Sequence, residues 1–198
     1  ILHDIGKINI SPAILHKPDT LTDLEFSLIK KHPLMGLERL KDVVLPYEVR
    51  CIIEQHHEKW DGTGYPNGLR GRAIHPFAQL VSIADVFDAL ISDRPYRQGL
   101  PPYHAFEIVI VQTGTAFAEE TVCTFKQCVV LYPEHSIVTL NTGEVGKVVA
   151  VPVNFPTRPL VKVLLDQYGK YLERDYYIDL MKELNRFIAS IKFQPWQA

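Results

Sequence analysis

Apolar residues recur at helical spacing through the first two-thirds of the chain and shift to partial alternation beyond Val130. Thr22-Asp23-Leu24-Glu25 has the capping-box pattern, a hydroxyl followed three residues later by a glutamate, and predicts a helix start. That helix should stop near His32, because Pro33 disfavours helical geometry in the residue before it. Pro33 suits the first turn of a next helix through Met35, Leu37 and Leu40. Pro46 to Glu58 predicts another helix, with Val49, Ile52, Ile53, His56 and His57 on one face. Asp61 to Gly71, rich in glycine and holding Pro66, reads as a loop. Pro76 to Ile91 predicts a strongly apolar helix with Val81, Ala84, Asp85 and Asp88 on one side. Tyr103 to Gln112 and Glu119 to about Cys128 predict two more.

Ser136–Leu140, Glu144–Val151 and Leu160–Leu165 are rich in Val, Ile and Leu and predict strands, with Thr142-Gly143 as a hairpin turn. Asn154 to Pro159 reads as a loop and Gln167 to Lys170 as a turn. The expectation is a small antiparallel unit of three or four strands, closed by a helix over Ile178 to Ile191.

The hydrophobic fraction of 46% and charged fraction of 22% are ordinary for a globular chain of 198 residues. A net charge of −2 provides no global field for nucleic acid, so a DNA or RNA duplex is not an expected partner. The three cysteines, Cys51, Cys123 and Cys128, form no Cys-x-x-Cys pair; buried free thiols in a reducing cytoplasm are expected. No apolar run reaches membrane-spanning length. The chain opens on Ile1-Leu2-His3-Asp4 without an initiator Met and reads as a piece of a longer protein, so a membrane anchor in the parent stays open.

Imidazoles and carboxylates gather in the helical part. His3-Asp4 ends an apolar segment that Gly6 can terminate, His32 ends a helix, and His56-His57 sits on an apolar face. Asp85 lies among residues expected to be buried, where an unpaired carboxylate is costly and demands a partner. Taken singly, each group is as readily structural; together on inward faces of successive helices they point to metal. The set is nitrogen and oxygen without thiolate, which suits Mn, Fe, Co, Ni or Zn. Two such ions can activate water and polarise a phosphodiester. Downstream, Gly62-Thr63-Gly64-Tyr65-Pro66 allows close backbone approach and offers a flat ring to a base. Arg94 and Arg97 offer guanidinium to phosphate oxygens.

These segments resemble the HD-GYP family. His3-Asp4-Ile5-Gly6-Lys7, His32-Pro33, His56-His57-Glu58, Gly64-Tyr65-Pro66, Ile83-Ala84-Asp85-Val86-Phe87-Asp88 and Ser92-Asp93-Arg94-Pro95-Tyr96-Arg97 occur in the family's order, over about residues 1 to 128. The resemblance implies a mainly α fold, the HD-superfamily helical bundle over residues 1–129, followed by a small antiparallel β extension over 130–198. It implies hydrolysis of cyclic di-GMP to pGpG or GMP. It carries over His3, Asp4, His32, His56, His57 and Asp85 as ligands of two or three divalent ions, iron or manganese first, with Asp4 bridging. It implies that Lys7 binds phosphate or assists the leaving oxygen, that Tyr65 contacts the ligand, that Arg94 and Arg97 hold phosphate, and that Asp88 orients the attacking water or a ligand.

Three departures stand beside the match. The family normally adds a metal-binding histidine, and in some members a glutamate, on upstream helices, so the ion count rests on residues ahead of Ile1. Ala118 stands where Asp usually caps the following helix, which predicts a modest stability effect. The β extension lies outside the catalytic motifs and reads as a packing or regulatory module. The rival readings are a non-catalytic cyclic di-GMP receptor or docking module for a diguanylate cyclase (GGDEF) domain, and an HD-superfamily nucleotide phosphohydrolase. The full metal set argues against the first and Gly64-Tyr65-Pro66 against the second. A homodimer is a further candidate assembly.

Overall fold

The computed structural model describes residues 2–93 and 98–192 and divides into two compact units, 1–125 and 126–198. The first unit is helical: a 3-10 turn at Ile5–Asn9, then α1 (Pro12–Leu15), α2 (Asp23–Ile29), α3 (His32–Arg39), α4 (Tyr47–Gln55), α5 (Pro76–Ile91) and α6 (Pro102–Val111). Helix α7 (Glu119–Cys128) runs across the division. Packing is sequential, the 3-10 turn on α3, α3 on α4, α4 on α5 and α5 on α6.

Local chemistry accounts for several boundaries. Both halves of the Thr22–Glu25 capping box are made, Glu25 N donating to Thr22 Oγ1 and Thr22 N to Glu25 Oε2. Helix α2 ends at Ile29, earlier than expected, and His32 opens α3 instead of closing α2, with Pro33 in the first turn where its missing N–H is harmless. Helix α4 stops at Gln55, so His56 and His57 lie past its end rather than on its face. The His56 ring helps to cap the helix end, its Nδ1 lying 3.1 and 3.0 Å from the Ile52 and Ile53 carbonyls, while its backbone N–H donates to Ile52 O. Ile83, Val109, Phe117 and Val122 form a core cluster flanked by Val86, Phe87 and Phe125.

Gly6 has a different task from helix termination. It is buried inside the 3-10 turn, and a Cβ there would fall on the His32 carbonyl oxygen and 2.6 Å from Gly36 N. Only glycine lets the His3-Asp4 segment press against the first turn of α3.

The second unit is an antiparallel sheet of five strands in the order β4-β3-β2-β1-β5: β1 (Ile137–Leu140), β2 (Val145–Ala150), β3 (Leu160–Leu165), β4 (Tyr171–Asp179) and β5 (Ile188–Lys192). The closing helix over Ile178–Ile191 is not formed. Ile178 pairs with Val161 and Ile191 with Val138, while a turn through Asp179, whose carboxylate accepts from Met181 N, joins the two strands. Ile178, Leu180 and Ile188 are buried, so alternation with the sheet's inner face overrides helical propensity. Cys51 is buried as expected, but Cys123 and Cys128 are exposed. Among the described residues, no helix is long and apolar enough to cross a membrane.

Candidate metal centre

The 3-10 turn, the start of α3, the end of α4 and the middle of α5 bring their polar groups to one point. Ligand atoms of Asp4, His32, His56 and His57 lie within 4.8 Å of one another, and those of His3, Asp4 and Asp85 do the same, so Asp4 belongs to both groups. All six residues predicted as ligands are therefore brought together.

The tautomers of two histidines follow from their surroundings. His32 Nδ1 lies 2.7 Å from the Ile29 carbonyl, and His56 Nδ1 faces the Ile52 and Ile53 carbonyls. A carbonyl only accepts, so both Nδ1 atoms carry hydrogen and both Nε2 atoms present lone pairs. Those two Nε2 atoms face each other at 3.2 Å, and lie 3.2 and 3.7 Å from Asp4 Oδ1. Asp4 Oδ1 is buried and has no hydrogen-bond partner. Three lone pairs aimed at one another in a buried space repel unless a cation lies among them. The carbonyls behind His32 and His56 fix ring orientation as metal-ligating imidazoles require. The donor set thus fits divalent cations.

The electrostatics agree. Burial pushes the Asp4 carboxyl upward, but its contacts with His3, His32, His56 and Lys7 together outweigh it and hold the group well below the carboxylate range. His3 bridges the carboxylates of Asp4 at 3.5 Å and Asp85 at 3.6 Å, and these raise it to about 9. Burial, with the neighbouring His56 and His32, pushes His57 down to about 3, which keeps it neutral and able to ligate. Asp85 is half-buried rather than enclosed; its hydrogen bond to His3 lowers its carboxyl.

An open cavity of about 680 Å³ adjoins this cluster, lined by Asp4, Lys7, His57, Tyr65, Asp85 and Asp88 among others. Lys7 Nζ is 2.6 Å from Asp4 Oδ2. Asp88 is exposed on the cavity wall. Tyr65 stacks on His57 with ring centroids 4.8 Å apart, and burial together with the charges of Asp4 and Asp85 pushes its phenol up. Arg94 and Arg97 lie outside the described residues.

Sequence reasoning assigned Glu58 no task, and read the close approach at Gly64 as one to a ligand and not to the chain's own backbone. Glu58 is buried, and its carboxylate accepts from Asn67 N at 2.7 Å and Leu69 N at 2.9 Å, pinning the loop that carries Tyr65. Gly64 N-terminal to Tyr65 passes so close to the His57–Lys59 backbone that a Cβ would sit 2.6 Å from the His57 carbonyl oxygen. The Gly114–Ala118 segment buttresses the same loop from outside, the carbonyls of Ala116 and Thr115 accepting from Trp60 N and Asp61 N. A charged residue next to two histidines was the available signal for Glu58; the backbone contacts left none.

A helical domain presenting this donor set beside an open cavity is a metal-binding domain of the HD kind. The HD domain model matches residues 1–120, and the model of the KOW domain associated with HD domain matches residues 137–194. The chain belongs to the HD domain family. Over its whole length it is 36% identical to a cyclic di-GMP phosphodiesterase of Pseudomonas aeruginosa, of which it covers 48%. It is 43% identical, over 59% of the chain, to the cyclic di-GMP phosphodiesterase response regulator RpfG of Xanthomonas campestris, covering 31% of that protein. It is 36% identical, over 68% of the chain, to the 3'3'-cGAMP-specific phosphodiesterase 3 of Vibrio cholerae, covering 29% of it. Among solved structures, a HDGYP protein from Bdellovibrio bacteriovorus aligns at a TM-score of 0.49 and 30% identity, over 61% of this chain and 38% of that one. The chain spans half the length or less of these curated relatives.

Proposed function

We propose that the chain is the catalytic part of a phosphodiesterase that hydrolyses cyclic di-GMP to pGpG or GMP. The observation that carries this reading is the convergence of the His32 Nε2, His56 Nε2 and Asp4 Oδ1 lone pairs beside an open cavity. Asp4, His32, His56 and His57 would hold one divalent ion and His3, Asp4 and Asp85 a second, with Asp4 shared. Iron or manganese suits the nitrogen and oxygen donors. Such ions, when bound, supply Lewis acidity toward a phosphoryl oxygen and bring the pKa of a water toward neutrality.

The chain's own groups do the rest. Lys7, held by Asp4 at the cavity wall, binds a phosphoryl oxygen and gives a proton to the departing ester oxygen. Asp88, exposed to the cavity, orients the attacking water or a ligand. Tyr65 keeps its phenolic proton and so donates a hydrogen bond while its ring fixes His57. Arg94 and Arg97 neutralise phosphate oxygens as the negative charge grows. Cys123 and Cys128, exposed as free thiols, suit a reducing cytoplasm.

The test is hydrolysis of cyclic di-GMP, with 3'3'-cGAMP alongside, by protein loaded anaerobically with Mn or Fe, products being separated by chromatography. Turnover that disappears in Asp4→Ala is the expected result. Bound metal and retained cyclic di-GMP without turnover would leave a receptor, or a docking module for a diguanylate cyclase.

A further inference from the structure

Phe26 and Lys30 lie one turn apart at the end of α2 and both turn toward Tyr65. The Phe26 ring meets Tyr65 edge to face, centroids 6.4 Å apart. Lys30 Nζ lies 4.7 Å from the Phe26 centroid and 5.7 Å from that of Tyr65. Ile29, between them in sequence, lines the cavity with Tyr65. Both are accessible from solvent: Phe26 is 43% exposed, and Lys30 is exposed too.

The contrast with the neighbouring lysines is chemical. Lys7 is paired with Asp4 and Lys17 with Glu25. Lys30 meets aromatic rings instead, so its ammonium is held in place while its N–H donors have no acceptor among the described residues and can serve one. A half-open aromatic face and an unspent donor, side by side at the rim of a phosphodiester site, are the two elements that recognise a base by stacking and by its edge.

We propose that Phe26 and Lys30 form a guanine subsite, Phe26 stacking on the base and Lys30 donating to its O6 and N7. This rests on the cyclic-dinucleotide reading above. Adenine places an amino donor where guanine has O6, and an ammonium can only donate, so Lys30 favours guanine over adenine. Both are proposed as specificity residues that contact the base.

The test compares kcat/KM of the metal-loaded protein for cyclic di-GMP, cyclic di-AMP and bis(p-nitrophenyl) phosphate, a diester without bases. Phe26→Ala should lower the ratio of cyclic di-GMP to small-diester activity about five- to a hundredfold, the range covered by one base–aromatic stack, chiefly through KM. Lys30→Met should shrink the preference for cyclic di-GMP over cyclic di-AMP at least about threefold, and Lys30→Arg should restore it. Ratios within twofold of wild type in both Phe26→Ala and Lys30→Met, while the wild type hydrolyses cyclic di-GMP, overturn the subsite alone. A wild type that cleaves the small diester and neither cyclic dinucleotide overturns the substrate reading and the subsite with it.

Discussion

Replacing Glu58 by Gln changes one buried group without changing shape, and the structure allows its effect to be worked out. The carboxylate accepts from Asn67 N at 2.7 Å and Leu69 N at 2.9 Å, and the residue is 2% exposed. A hydrogen bond to a charged group contributes about 1.5–3 kcal/mol. Glutamine keeps one carbonyl oxygen, so one amide retains a neutral bond of about 1 kcal/mol. The other amide faces an NH2 group and loses its acceptor in a space that water enters poorly. The sum is a destabilisation of about 2–5 kcal/mol. Urea unfolding followed by tryptophan fluorescence reads it, since Trp60 lies at the foot of the same loop. Hydrogen exchange of the Asn67 and Leu69 amides should accelerate in parallel, and KM for cyclic di-GMP should rise because Tyr65 stands two residues ahead of Asn67 on the loop these bonds pin. Stability within about 0.5 kcal/mol of wild type, with unchanged protection of both amides, would refute the role given to Glu58.

Three further outcomes are expected. Gly6→Ala forces a Cβ into the His32 carbonyl and should destabilise the helical unit by more than about 3 kcal/mol, measurable by thermal unfolding. Stripping metal with a chelator should lower stability by about 2.7 kcal/mol relative to protein with ion at a hundred times its Kd, and His56→Ala should abolish that difference in calorimetry. The Lys17 ammonium and the Thr22 cap lower the Glu25 carboxyl to about 2 from an ordinary 4.5. A depressed carboxyl stabilises fully above 4.5 and loses that contribution as pH falls through 2, so the gap in melting temperature between wild type and Glu25→Gln should shrink over that window.

How much of this was legible before folding differs from element to element. The capping box at Thr22, the proline starts of α3 and α5 and the apolar stripes that seat Ile53 and Ile83 are local, and sequence sufficed to locate them. The six candidate ligands were legible too, because imidazoles and carboxylates on apolar faces carry a desolvation cost that needs a partner. Their grouping was not. That His3 bridges Asp4 and Asp85, and that Asp4 belongs to both sets, depends on the 3-10 turn reaching α3 through Gly6 and on α5 lying against α4. The tautomers of His32 and His56 depend on which carbonyls the helix ends leave free. The second unit shows the same limit. Ile178 and Ile191 read locally as a helix, yet their strand partners Val161 and Val138 stand 17 and 53 residues away. Residue type and short-range spacing were settled by the chain itself. Which lone pairs face one another was decided by long-range packing alone, since no local pattern records the approach of two backbones distant in sequence.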